Sequence, residues 1–511
     1  MTDLGDQREH YVLTRFLFLR FLGLVYFVAF LSLAQQLGPL IGSHGLLPAQ
    51  PYLNSVAAGS RFAAAFELPT IFWLNCSDTF LATCSYVGLA LSLQVLFGFA
   101  NVPLLAALWI LYMSFVHVGQ LWYGYGWEIL LLETGFLAIF LCPLLDPRPT
   151  AGSEPPRVTM WLLRWLLFRV MLGAGLIKLR GDPCWRDLTC MLYHYETQPL
   201  PNPLSWYLHQ LPAAFHTFEV LFNHFVELVV PWTLFAPRRL RHIGGLFLVA
   251  FQITLIISGN LSFLNWLTLA ICIPCFDDQA LRDCLPRRLR DRLLQFAGRP
   301  ASPLRQTVAY ALAALVLYLS IAPVLNLLGS RQVMNGSFDR LHLVNTYGAF
   351  GSVGRLRNEV ILQGSPDGTN WREYEFKCKP GNVNRPPCFI APYQLRIDWQ
   401  IWFAAMEDPG SNPWLIHLIA QLLHNDRGAL SLLANNPFPD EPPKVIRTEL
   451  YEYHFTRRGD ATHAWWTRQR VDQYLPPLAL DNPALQRFLE SRGWNQPASE
   501  PTGSDPTGSG P

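Results

Sequence analysis

Lys178, Arg180 and Asp182 follow directly on a strongly apolar run, and Cys184, Trp185, Arg186, Asp187 and Cys190 come soon after them. Together they make MLGAGLIKLRGDPCWRDLTCMLYHYETQPLPNP (171–203) the densest polar chemistry in a largely apolar sequence. A lysine at the end of an apolar helix has two readings. As an anchor, it extends its ammonium group to the headgroups and leaves its stem in the apolar layer. As a catalyst, it is partly buried, its proton is more easily lost, and it acts as a base. Nearby carboxylates on Asp182 and Asp187 favour the charged form and therefore the anchor. Cys184 and Cys190 would close a loop so short that its closure removes little chain entropy. Their pairing would serve to shape the loop, with Trp185 packed over it, and a free or exchangeable pair is the alternative.

A second constellation comprises His216, Glu219, Asn223 and Glu227, spaced three, four and four residues apart and so on one face of a helix, with His224 beside it. Ionisable groups are costly in a bilayer, so this face should point into a helix bundle or a wet cavity. It reads as a polar seam that fixes helix packing, with Glu128 and Glu133 as candidate partners, or as a proton-handling face. One helix supplies too few ligands to assign a metal. Cys272-Ile-Pro-Cys275 has redox spacing but lacks the strand–helix setting that such chemistry needs. The aromatic run Trp122–Trp127 reads as an interfacial belt. The sequence offers no phosphate-cradling loop, nucleophile elbow or Ser/His/Asp set.

The elements that must position these residues are membrane-length. Hydrophobic residues make up 51% of the 511 and charged residues only 15%, against about 25% charged in soluble proteins. Apolar blocks fall at 16–37, 79–98, 102–119, 128–145, 158–177, 214–236, 243–258, 261–275 and 306–328, which predicts about nine spans. The shorter 61–74 segment, broken at Pro69, reads as an interfacial or re-entrant piece. The first block carries Arg15 and Arg20 without a clear cleavage site and reads as a signal anchor. A net charge of +2 points away from a nucleic-acid partner. The partner that composition implies is the lipid bilayer, and no cofactor is called for.

Arginines crowd the loops 237–242 and 276–305, which places both on the cytoplasmic side. Counting spans from them puts the N-terminus in the cytoplasm, and the 178–209 loop and everything after Leu328 on the far side. An oxidising far side would let Cys184 pair with Cys190 and Cys378 with Cys388. The sequons at Asn75 and Asn335 also fall on that side, where glycosylation occurs, while Asn260 lies too close to the bilayer.

After Arg331 the pattern becomes soluble. Strands are expected at 360–362, 371–376, 394–403 and 451–455, and a helix over 414–433 with Asn412 and Asp426 as N-caps. The expected fold class is an α-helical polytopic membrane bundle (1–330) followed by a β-rich α+β domain (331–495), with a small sandwich as one form of it. A disordered tail (496–511) rich in Gly, Pro and Ser should follow.

The sequence resembles the lipase maturation factor family from Tyr11 to Trp494. The resemblance is carried by GAGLIKLRGDPCWRDLTC and HYETQPLPNP (173–203), FNHFVELVVP (222–231), SGNLSFLNWLT (258–268), NLLGSRQVMN (326–335), LHLVNTYGAFGSV (341–353), YEFKCKPG (374–381) and SLLANNPF (431–438). It implies a multi-pass protein of the endoplasmic reticulum membrane with a lumenal C-terminal domain, or of an inner membrane with a periplasmic one in a bacterium. Its implied role is to help secreted dimeric lipases fold and assemble, with Arg331 onward facing the client. Lys178, Arg180, Asp182, Trp185, Arg186 and Asp187 are the loop signature, and Trp399, Trp402, Trp465 and Trp466 are candidate exposed contacts. A fainter similarity joins the membrane half to vitamin K-dependent gamma-carboxylase, through Ala174-Gly175-Leu176-Ile177-Lys178. It implies the alternative of an integral membrane enzyme with Lys178 as base and His216, Glu219 and Glu227 around it.

Overall fold

Apolar helices running between two common ends dominate the computed structural model, which describes residues 9–148, 153–295 and 297–494. Six described helical segments are long and apolar enough to cross a membrane. They are α1 (Val12–Ile41), α2 (Asp78–Phe97), α5 (Arg157–Arg180), α6 (Ala213–His224, continuing through tighter and wider turns to Phe235), α7 (Arg238–Ser258), and the pair α10 (Pro303–Leu319) and α11 (Ile321–Leu328). The other three expected spans form shorter helices: α3 (Val102–Val118), α4 (Gly126–Ile139) and α8 (Leu264–Cys272).

Hydrogen bonds gather the helix ends into two sets. At the near end, the Asp278 carboxylate accepts the backbone N–H groups of Val12, Leu13 and Thr14, which would otherwise lack partners at the start of α1. There too, Arg15 donates to the Ser153 carbonyl, Arg241 pairs with Glu9, and Arg305 donates to Ser153 and the Leu141 carbonyl. At the far end, Ser43 donates to Asp78, Gln120 to the Leu47 carbonyl, and Gln198 to the Ser258 carbonyl. Val12 at the start of α1 thus belongs to the near end, and Ser43, just past the close of α1, to the far end.

The C-terminal region sits on the far end. Its antiparallel sheet has the order β2-β1-β3-β4, with β1 at Arg357–Ser365, β2 at Arg372–Glu373, β3 at Val445–Phe455 and β4 at Trp466–Leu478. Val360 lies opposite Leu450, and Tyr453 opposite Arg468. Helices α12 (Arg396–Ala404) and α13 (Pro413–Leu423) pack near β1 and β3, so the region is helix on sheet rather than a sandwich.

Three local expectations are corrected. The stretch 394–403, expected as a strand, is α12. Its alternating polar residues are not solvent-facing, because Arg396 and Asp398 are as buried as Ile397 and Trp399. The helix expected over 414–433 breaks at Asn425, which has φ 54°, and resumes as α14 (Arg427–Ser431). Asp426 does cap α14, accepting the Ala429 N–H, whereas Asn412 instead accepts the Trp414 indole N–H. The 371–376 strand shrinks to β2, and β4, which had no strong apolar alternation, went unforeseen. The expected tail from Gln496 to Pro511 lies outside the described residues.

Candidate functional site at the far end of the bundle

Lys178 is buried, not extended to an interface. Its Nζ donates to Glu227 Oε1 at 2.5 Å and to Asn223 Oδ1 at 3.1 Å, while Asn223 Nδ2 donates to Glu227 Oε2 at 2.9 Å. Local sequence explains how Glu227 reaches it. Pro231 removes a helical N–H, and the chain before it widens into a π-turn over Phe225–Val229 that turns Glu227 toward α5. Gly175 makes the approach possible, since a Cβ there would meet Leu228 at 2.6 Å and the Glu227 Cβ at 3.0 Å. The Trp185 ring lies 5.1 Å from the ammonium, and its backbone carbonyl accepts from His224. The anchor reading of Lys178 is thus corrected: its partner is Glu227, not Asp182 or Asp187.

The signature residues divide by role. Asp182 caps the short helix Pro183–Arg186 through the Cys184 N–H, and Arg186 donates to the Leu179 carbonyl at the C-terminal end of α5. Asp187 is exposed. Cys184 and Cys190 are joined, with Cα atoms 4.8 Å apart, and form a small buried cluster with Trp185, Val220 and Val353. Arg180 donates to Gln332, which in turn donates to the Gly173 carbonyl. The 341–353 motif crosses this end of α5, where its Gly351 and Phe350 carbonyls accept from the Asp182 N–H and the Trp185 indole. Burial, aided by the Lys178 charge, holds the nearby His194 imidazole down to about 4.

The His216–Glu227 stripe divides into two sites. Asn223 and Glu227 serve Lys178, while His216 pairs with Glu219 at 2.8 Å, and the Tyr195 hydroxyl also donates to Glu219. Glu128 and Glu133 do not join this stripe. Glu128 pairs with Arg396 at 2.9 Å, and Glu133 with Arg169. Glu133 also accepts the Asn345 N–H at 3.0 Å and the Tyr347 hydroxyl at 2.7 Å, and Arg169 donates to the Asn345 carbonyl.

Sequence reasoning missed two further junctions: Arg357 lies outside the quoted motifs, and Asn260 stood out only as a sequon. Arg357 on β1, fully buried, donates to the carbonyls of Glu196, Gln198 and Pro199 and pairs with Glu359 at 2.6 Å. Asn260 donates to the Leu200 and Cys388 carbonyls and accepts the N–H groups of Ile390 and Ala391. Its amide is buried and fully engaged. Asn75 and Asn335 are exposed at the far end. Cys378 and Cys388 are joined, with Cα atoms 5.5 Å apart. Cys272 and Cys275 are free and buried at the near end.

The aromatic expectations change as well. Trp122, Tyr123 and Trp127 are buried rather than interfacial; Trp127 packs edge-on against Trp399, and Trp122 against Trp414. Trp399 and Trp466 are only 5% and 2% exposed, and Trp402 and Trp465 are half-buried, so these tryptophans join parts of the chain rather than face outward. Among the described residues, no cluster of three or more His, Cys, Asp or Glu side chains is placed to hold a metal.

The arrangement brings nearly every sequence motif to one end and pairs its charges there. For Lys178 to take a proton from a substrate, its contact with Glu227 would first have to open. What the geometry does directly is fix the C-terminal region onto the bundle.

A model of the lipase maturation factor transmembrane domain matches residues 13–283, and one of the lipase maturation factor C-terminal domain matches residues 343–476. The chain is similar to lipase maturation factor 1 of Bos taurus, at 51% identity over 96% of this chain and 92% of the relative. It is 49% identical to lipase maturation factor 1 of Homo sapiens over 95% of this chain and 91% of the relative. To lipase maturation factor 2 of Rattus norvegicus it is 33% identical, over 93% and 84% respectively. No solved structure matches.

Proposed function

The chain belongs to the lipase maturation factor family, and from that membership we propose that it assists the folding and assembly of secreted lipase-type proteins at the endoplasmic reticulum membrane. The proposed topology has nine crossings, a cytoplasmic N-terminus and a lumenal C-terminal region. It is supported by the arginine-rich loops and by the alternation of helix ends between two sets of contacts. We divide the chain into a transmembrane part, 1–330, and a client-facing part, 331–495. Asn75 and Asn335 are the proposed glycan acceptors.

One observation carries the reading. Buried polar posts hold the C-terminal region to the bundle, while Val333, Met334, Phe338, Leu356, Phe389 and Met406 remain exposed on it. Exposed apolar groups on a firmly held support suit a surface that meets partly folded clients. They replace the buried tryptophans as the proposed contacts.

The test is co-expression of a secreted dimeric lipase with and without the chain, in cells lacking their own factor. Active lipase should depend on the chain, and equal activity without it would overturn the reading. The enzyme alternative, with Lys178 as base, predicts that replacing Lys178 abolishes function even when the protein remains folded.

A further inference from the structure

Helix α9, Arg287–Leu294, lies at the near end, between α8 and α10, and reads RRLRDRLL. Leu289 and Leu293 fall four residues apart on one face and, with Leu285 ahead of the helix, pack against Val12, Leu13 and Phe16 at the start of α1. This contact takes up the apolar face, so the helix cannot enter a bilayer by that face. It also fixes the height of α9 beside the first turns of α1, where the chain enters the apolar body.

The other face is cationic. Arg287, Arg288 and Arg292 are exposed, and Arg239, in the neighbouring near-end loop, is exposed too. Arg290 turns inward, with its side chain 14% exposed, and meets Asp283 and Asp291. Within the helix, Asp291 is the single acidic residue against four arginines. A helix held against the start of a membrane-length helix by its apolar face, with exposed arginines on its other side, matches the chemistry that recognises phosphate-bearing headgroups.

We propose that α9 is a lipid-binding element: Arg287, Arg288 and Arg292 bind anionic phospholipid headgroups of the leaflet at the near end. The occupant is the lipid surface and not a soluble anion, because the helix is docked on a membrane-length helix at its entry point. This binding is independent of the client reading and of which compartment lies on that side.

Cys284, exposed and just ahead of α9, provides a reporter. The full chain is reconstituted in nanodiscs of phosphatidylcholine, with or without phosphatidylserine, and alkylation of Cys284 by N-ethylmaleimide is followed by peptide mapping. Phosphatidylserine should slow the reaction several-fold, and high salt should relieve the slowing. The variant Arg287→Gln/Arg288→Gln/Arg292→Gln, with all three changes at exposed positions, should melt like the parent and show no lipid effect. Equal rates in the two lipids would overturn the proposal. So would equal slowing in the triple variant, which would trace the effect to the leaflet's own charge acting on the thiol.

Discussion

Lys178 and Glu227, 49 positions apart in the chain, meet at 2.5 Å in a buried ion pair that joins the end of α5 to the π-turn of α6. The pair connects two of the most polar motifs, and the side chains around it, Asn223 and Trp185, leave Lys178 enclosed.

Removing one partner should therefore be costly. Lys178→Met alone strands the Glu227 carboxylate and should destabilise the protein by about 3–5 kcal/mol, whereas Lys178→Met with Glu227→Leu should recover most of that loss. Thermal melts in detergent check the stability, and lipase activity in co-expressing cells checks the function. A double variant that is folded but inactive would favour the enzyme alternative.

Asn260 makes a different prediction. Glycopeptide mapping should find glycans at Asn75 and Asn335 and none at Asn260, whose amide is committed to the backbone of Leu200, Pro201, Cys388, Ile390 and Ala391. Asn260→Asp keeps the acceptor but loses the donor to the Leu200 and Cys388 carbonyls, and should cost about 1–3 kcal/mol. A glycan at Asn260 would mean that the 388–391 segment does not dock as described.

Acid should loosen the far end. Burial holds the imidazoles of His194 and His342 down to about 4, with Lys178 adding to the effect at the first and His117 at the second. An unfolded histidine titrates near its ordinary value of about 6.5. Between those values the unfolded chain binds protons that the folded chain does not. The stabilisation is thus complete above about 6.5 and is lost as pH falls toward 4. In His342→Asn, chosen because asparagine tolerates the left-handed φ of 54°, the fall in melting temperature over that window should be shallower. An unchanged slope would remove His342 from the account of acid sensitivity.

Buried and exposed aromatic residues should separate stability from client handling. Trp399→Ala opens a cavity at the junction with Trp127 and should cost about 3–5 kcal/mol. Phe338→Ser and Phe389→Ser act at exposed positions and should leave the melt within about 0.5 kcal/mol of the parent. Their expected effect is lower lipase yield, measured at matched expression. Normal yield from the pair of changes together would move the client surface elsewhere.

The membrane half was largely legible from sequence, because apolar length and arginine-rich loops report directly on helices and on which loops share an end. All nine expected segments contain helix, although among the described residues six helical segments have full membrane length and apolarity. The C-terminal region was less legible for a physical reason. Sequence patterns assume that polar positions face water, and in α12 the charges of Arg396 and Asp398 are buried with long-range partners. The same assumption misled the reading of the aromatic run at Trp122–Trp127, which faces protein where lipid headgroups were expected. Glu133 and Arg169 could have been flagged as charges within apolar segments. Their shared use by Asn345 and Tyr347 depends on tertiary contacts more than 170 residues away in sequence.

The contact between Arg396 and Glu128 also has a bearing on synthesis. The two residues are 268 positions apart, so at about 5–20 residues per second the carboxylate waits on the order of tens of seconds for its cation to be translated. Until then the hydrogen bonds that the finished fold gives Glu128 from within the helical half are those of Tyr112 and Trp127. A chain that stops before residue 396 lacks the cation that pairs with Glu128. The last cation of this end is thus supplied by one of the later-made parts of the chain, so the junction at Glu128 closes only after the C-terminal region has been synthesised.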